Sequence, residues 1–226
     1  MQVTHSHLYG LKHRGLVECL GHFVESNTAA AFLKMQQAAA DDGINIQICS
    51  AYRDFDKQQS IWNAKASGKR VLLNKESQPV SIESLSSSSL IDLILIWSAI
   101  PGMSRHHWGT DIDVFDANEI SRHDLRLISQ EYQANGPCFQ LSQWLDSYAQ
   151  QYGFYRPYQE ALSGVSPEPW HLSYFPISND YINHYDTESI KAVIKNSSIL
   201  HKDAILKRID ALVNEYVFRV APIPAP

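Results

Sequence analysis

Residues 111–115, Asp-Ile-Asp-Val-Phe, confine the fold more tightly than any other stretch of this chain. In a β-strand, residues two apart share a face. Ile112 and Val114 would then point into a core, and Asp111 and Asp113 would point together the other way. Two carboxylates on one face repel unless a cation or a donor sits between them. The strand is therefore expected to divide a core from a charged site. The preceding residues, "PGMSRHHWGT", supply a candidate partner. His106 lies seven residues before Asp113, and Gly109 between them lets the chain turn, so the imidazole can swing back beside the carboxylate.

One His and one Asp make half of a metal site. The other half is expected in "SPEPWHLSYF", residues 166–175. Glu168 precedes a proline, which favours extended backbone. His171 follows three residues later, at the start of an apolar, aromatic strand. Two neutral imidazoles and one carboxylate suit Zn²⁺, whose catalytic sites keep three protein ligands and one open position for water. A bound water falls to a pKa of about 7 and becomes a nucleophile. Glu168 is left over as the carboxylate that takes its proton.

The rest of the chain fits around this site. Residues 27–42 read as a helix with Ser26 or Asn27 as its cap and Gly43 as its stop, and residues 44–50 as a strand. A second helix is expected over 54–66, beginning near Asp54. Residues 74–89, with four consecutive serines at 86–89, read as a solvated loop or insertion leading into a short helix. Strands over 110–115, 153–156 and 170–175, a helix over 139–151 and a helical C-terminal part complete the reading. There is no regular βαβ rhythm and no glycine-rich phosphate loop. This predicts an α+β fold with a small antiparallel sheet flanked by helices. The formal net charge of −5 gives no basic footprint, which argues against a nucleic-acid partner. The longest apolar run, "LIDLILIW", is too short to span a membrane.

The motifs resemble those of a known family. "SRHHWGTDID" matches the SxHxxGxxxD pattern, and "EPWH" the ExWH pattern, of zinc D-Ala-D-Ala carboxypeptidases similar to VanY and LdcB, peptidase family M15. "SAYRDFDKQ", 50–58, resembles that family's SxYRxxxxQ segment, and the three motifs occur in the family's order. The resemblance implies zinc ligands His106, Asp113 and His171 and a general base at Glu168. It implies that Arg53 binds substrate or stabilises an oxyanion, and that Gln58 and Ser104 line the pocket and contact the substrate's terminus. It also implies the compact fold shared by these peptidases and the hedgehog signalling domain. The 226 residues are then read as one domain, with a family-like core over about 27–175 and a helical extension over about 178–218. Two departures stand out. The family usually carries a small residue where this chain has Asp111, and the segment between Gln58 and Ser104 is longer than usual, a candidate lid or specificity wall.

Several tempting residues have plainer readings. His107 is expected to be a neighbour contact rather than a ligand, and His5 and His7 part of a flexible terminus. Trp108 and Trp170 are expected to be packing walls first and substrate contacts second, and Cys49 a buried small hydrophobe. The N-terminal stretch has no apolar h-region and the three cysteines are widely spaced, so the expected compartment is the cytoplasm. There, a D,D-carboxypeptidase would attack the pentapeptide wall precursor, whereas trimming recycled tetrapeptides is useful. The expected activity is therefore an L,D-carboxypeptidase acting on peptidoglycan stem peptides or muropeptides. The alternatives are a D,D-carboxypeptidase, a D,D-dipeptidase, and a non-catalytic zinc-containing binding module on the same fold. A further rival is a structural or assembly role for the helical C-terminus, residues 187–218, through dimerisation or docking of a partner.

Overall fold

The computed structural model describes residues 3–224. A 3₁₀ turn over Ser6–Tyr9 leads into a hairpin of β1 (Leu16–Cys19) and β2 (His22–Glu25), followed at once by α1 (Ser26–Asp41). Next come β3 (Ile46–Ser50), α2 (Phe55–Ala66), a small hairpin of β4 (Leu72–Leu73) and β5 (Pro79–Val80), and α3 (Ser87–Ile94). A 3₁₀ turn over Arg105–Trp108 precedes β6 (Asp111–Asp116). The chain ends with α4 (Phe139–Tyr148), β7 (Phe154–Tyr155), β8 (His171–Tyr174), α5 (Phe175–Asn183), α6 (Thr187–Lys195) and α7 (Lys202–Val213). The α+β reading holds: the principal sheet has four antiparallel strands in the order β3–β6–β8–β7.

Local signals explain most element ends, with two corrections. Asp54 caps α2 by accepting from the Lys57 amide at 2.7 Å, as the sequence predicts. At α1 the cap is Glu25 rather than Ser26 or Asn27. Its buried carboxylate ends β2 and folds over the helix start to accept from the amides of Asn27 and Thr28. The carboxylate meets the positive helix end and satisfies two amides that a shorter Ser26 hydroxyl would have shared. The serine run is also not a loop. Ser86 caps α3 through the Ser89 amide, and Ser87, Ser88 and Ser89 form its first turn. The helix persists because Leu90, Ile91 and Ile94 bury its other face.

Two apolar clusters flank the site. One joins the principal sheet to α1 and α4 through Phe32, Met35, Ile112, Val114, Leu141 and Leu172. The other joins α2, α3, α6 and α7 through Trp62, Ile91, Ile94, Ile190, Ile205 and Ile209. Each such side chain, fully buried, contributes about 1.5–3 kcal/mol. The apolar face of the C-terminal helices is thus spent inside the chain, against the segment between Gln58 and Ser104. The N-terminal residues are packed as well: Leu8 and Tyr9 are fully buried, and the His5 ring lies 5.0 Å from His184. No helix among the described residues is long and apolar enough to cross a membrane.

Register is what positions the site. In the β6–β8 ladder Asp113 pairs directly with His171, and Asp111 with Ser173. The β3–β6 ladder slips between Ile48 and Ser50, so Ser50 stands opposite Asp113 at the cleft. Gly109 turns the chain from the 3₁₀ turn into β6 at φ 71°, where a Cβ would come within 2.6 Å of Leu16.

Candidate active site

β6 is buried along its whole length, with Asp111 and Asp113 on one face and Ile112 and Val114 in the core. His106 arrives from the 3₁₀ turn and His171 from the neighbouring strand. His106 Nε2 lies 3.3 Å from Asp113 Oδ2, and His171 Nδ1 lies 3.1 Å from Asp113 Oδ1. One donor atom from each of the three residues falls within 4.8 Å of the others. Yet Asp113 Oδ1 and His171 Nδ1 are buried without any hydrogen bond, and among the described residues only Arg53 Nε shares that condition. An unpartnered buried polar atom is costly. Two that face each other across 3.1 Å fit a shared cation, and the two-imidazole, one-carboxylate donor set suits Zn²⁺.

The far side of each imidazole is fixed by Asp111. Its carboxylate accepts from His171 Nε2 at 2.9 Å, and its backbone carbonyl lies 3.2 Å from His106 Nδ1. These bonds hold the outward nitrogens as donors and leave His106 Nε2 and His171 Nδ1 for the cluster. Asp111 is itself secured by Arg105 Nε and the Thr110 hydroxyl, both at 2.7 Å, and by the Ser173 hydroxyl at 3.1 Å. Burial opposes its charge, but the Arg105 guanidinium and His171 overcome that and hold its pKa down to about 2. Arg105 is almost wholly buried and also packs over the Trp108 ring. The extra carboxylate of this chain therefore orients the ligands.

Burial works against protonation of His171, but Asp111, Asp113 and Glu168 outweigh it and raise its pKa well above the usual value. At His106 burial prevails, with Arg53 adding to it, and the pKa is lowered. Glu168 Oε2 lies 3.4 Å from His171 Nδ1, and the carboxylate keeps 14% of its surface exposed at the cleft. The tight turn that carries it closes through the His171 amide bonding to the Glu168 carbonyl.

A cleft of about 460 Å³ opens over these residues, lined among others by Arg53, Ser104, Tyr158, Glu168 and Trp170. Gln58 lies behind the cleft, fully buried. It accepts from an Arg53 terminal nitrogen at 2.9 Å and donates to the Ala99 carbonyl at 2.7 Å, so it steers the guanidinium instead of lining the pocket. His107 is no ligand: its Nδ1 bonds the Arg53 carbonyl at 2.6 Å, and its Nε2 accepts from the Gly102 amide at 3.0 Å. Trp170 packs against Trp97 and Tyr132, and Trp108 donates to the Leu8 carbonyl away from the cleft. Cys49 is a buried thiol whose sulfur reaches the Asp113 carbonyl. Tyr158, its ring centroid 4.7 Å from that of His171 and tilted 53° to it, is a cleft residue that the sequence alone did not single out.

A compact His-Asp-His donor set that could hold a metal ion, with the Glu168 carboxylate beside it and an arginine over the same cleft, is an arrangement suited to metal-assisted hydrolysis. The match to known families is narrower. The family model for VanY, D-alanyl-D-alanine carboxypeptidase, matches residues 21–177, and the chain belongs to that family. An uncharacterized protein of Haemophilus influenzae is 32% identical over 121 residues, 52% of this chain and 92% of that protein. A D-alanyl-D-alanine carboxypeptidase of Enterococcus faecalis is 29% identical over 143 residues, 62% of this chain and 44% of that protein. The chain thus spans slightly under half the length of that carboxypeptidase. Among solved structures, a zinc-bound mutant of the vancomycin-resistance D,D-pentapeptidase VanY is similar at 25% identity and a TM-score of 0.51, over 74% of this chain and 83% of that one. The LD-carboxypeptidase LdcB shares the fold at 19% identity and a TM-score of 0.53, over 77% of this chain and 76% of that one.

Proposed function

We propose that this chain is a zinc-dependent carboxypeptidase that removes the terminal D-Ala from peptidoglycan-derived peptides. The observation that carries the reading is the unpartnered pair Asp113 Oδ1 and His171 Nδ1, with His106 beside it and Glu168 facing it. Zn²⁺ held by His106, Asp113 and His171 would supply a Lewis acid and a water of lowered pKa. Glu168 takes the proton of the attacking water and returns it to the departing amine. Arg53 offers its planar fork to the substrate's C-terminal carboxylate or to the developing oxyanion, with Gln58 fixing the fork's rotation. Ser104 supplies a polar contact at the same end of the cleft, and Trp170 an apolar wall.

The finer proposal is an L,D cut, between an L-configured centre and D-Ala, made in the cytoplasm. Three buried, free cysteines support a reducing compartment. In that compartment a D,D activity would destroy wall precursor, while an L,D activity serves recycling. Inverting the centre before the cut redirects its side chain, and one or two lost contacts give about 10–200-fold discrimination. Incubating the zinc-loaded protein with a tetrapeptide and a pentapeptide in one tube, and identifying the products by mass, tests both levels. Faster loss from the pentapeptide overturns the L,D assignment alone. Loss from neither peptide overturns the carboxypeptidase reading.

A further inference from the structure

We propose that the cleft contains a second anion subsite, formed by Lys65, Arg70, Arg122 and Arg126, that binds a carboxylate N-terminal to the scissile bond. The inference rests on the carboxypeptidase reading and names the substrate class: an acidic peptide ending in D-Ala.

The charge distribution is the starting point. The chain is acidic overall, with 19 lysines and arginines against 24 carboxylate residues. Its catalytic cleft is the reverse: Arg53, Lys65, Arg70, Arg122 and Arg126 line it, and its carboxylates are Asp113 and Glu168. Both of those acids already lie within 3.4 Å of His171. Some cations elsewhere pair with acids: Arg208 with Asp92, Lys191 with Glu188 and Asp210, and Arg219 with Glu215. Among the described residues, Lys65, Arg70 and Arg126 have no ion pair and no side-chain hydrogen bond. Arg122 reaches only the Cys49 carbonyl, at 3.3 Å.

Lys65 also feels its neighbouring cations. Burial lowers the Lys65 pKa, Arg70 and Arg53 lower it further, and Glu168 only partly offsets them, leaving it at about 8. Like charges gathered without an anion are unfavourable, and an arriving carboxylate relieves them through charge-assisted hydrogen bonds. The substrate's own C-terminus accounts for one such carboxylate, and Arg53, whose charge is felt by His106 and Asp113, is the cation placed to receive it. Four further cations, supplied by the end of α2 and by the segment after β6, are matched by a second carboxylate further along the peptide. Neither segment contributes a metal ligand, so this recognition is separable from the chemistry.

Two tetrapeptides with the same last two residues test the proposal, one with free carboxylates upstream and one with those groups amidated. The zinc-loaded wild type should favour the acidic peptide by at least about tenfold in KM, less so in high salt, which screens exposed charges. In Arg70→Gln/Arg126→Gln the preference should shrink toward one, with the amidated peptide cleaved as by wild type. Zinc-loaded Glu168→Gln, titrated calorimetrically, should show the same preference in affinity without turnover. Equal KM and equal affinity for the two peptides overturn the subsite and leave the carboxypeptidase reading standing. A preference undiminished in the double variant overturns its assignment to these residues. Tighter binding of the acidic peptide with no cleavage of either supports the subsite and overturns the carboxypeptidase reading.

Discussion

The floor and the wall of the cleft are built on opposite terms. On the floor, β6 and β8 place Asp113 opposite His171, and Asp111 ties both histidines to Arg105, Thr110 and Ser173. Every bond there is internal, and the unpartnered atoms at its centre converge on one point. On the wall, Lys65, Arg70 and Arg126 reach toward the same cleft with no internal partner, on segments outside the principal sheet. The difference separates two tasks. Ligand geometry has to be held within fractions of an ångström and is bought with buried hydrogen bonds. Recognition of a charged chain tolerates half-exposed groups that settle when the ligand arrives.

The sharpest way to break this comparison is at the floor's centre. Asp113→Ala should lose zinc on dialysis and fall to background activity, with metal content read by atomic absorption. Retained zinc at wild-type stoichiometry would remove Asp113 from the ligand set. Glu168→Gln should keep its zinc and lose about 10²–10⁴-fold in kcat, because the proton acceptor goes while the ligands stay. A wild-type rate in that variant would mean that another group is the base. Arg105→Met leaves the Asp111 carboxylate buried without its main counter-charge. Denaturant unfolding should show a loss of about 3–5 kcal/mol, and zinc affinity should fall about 10–100-fold through the loosened imidazoles. Unchanged stability would place the support of Asp111 elsewhere. Arg53→Lys keeps the charge but not the fork, and should cost on the order of tenfold in kcat/KM. A loss mostly in KM identifies carboxylate binding, and one mostly in kcat identifies oxyanion stabilisation.

The smallest effect lies where floor and wall are joined, at His107. Burial, then Arg53 and His106, lower its pKa to about 3, against the ordinary 6.5, despite its bond to the Arg53 carbonyl. The folded state thus refuses a proton that the unfolded chain accepts between those values. The contribution to stability is complete above about pH 6.5 and is lost as pH falls toward 3. Urea titrations of metal-free protein at pH 7 and pH 5 should give a shallower loss for His107→Gln than for wild type. Equal slopes would mean that His107 is not the group titrating.

What could be read from the sequence follows the same division. The alternation at 111–115 and the proline-bounded His171 strand pointed to Asp113 and His171, which the fold does bring together, because period-two patterning and backbone restriction are local physics. Arg105 was not legible. It sits inside the histidine motif, immediately before His106, and nothing local marks an arginine destined for near-complete burial six residues before its carboxylate. Gln58 was legible as a site residue but not as one facing away from the cleft, since its partner Ala99 lies 41 residues on. Glu25 displaced the expected serine cap because its carboxylate is held down by the β1–β2 hairpin, a tertiary fact. Lys65 and Arg70 carry no local signal, and only the fold brings Lys65 within electrostatic reach of Arg53.

The direct pairing of Asp113 with His171 makes the ladder a gatekeeper of its own assembly. A strand slipped by one residue turns every side chain to the opposite face, and would send the aspartate into the core while the histidine stayed at the cleft. Only the native alignment offers a complete ligand set, so an ion that binds it stabilises that alignment alone, by mass action. Misaligned hairpins get no such help. A metal centre placed across a single rung would act as a checkpoint on how the chain has folded, before any substrate arrives.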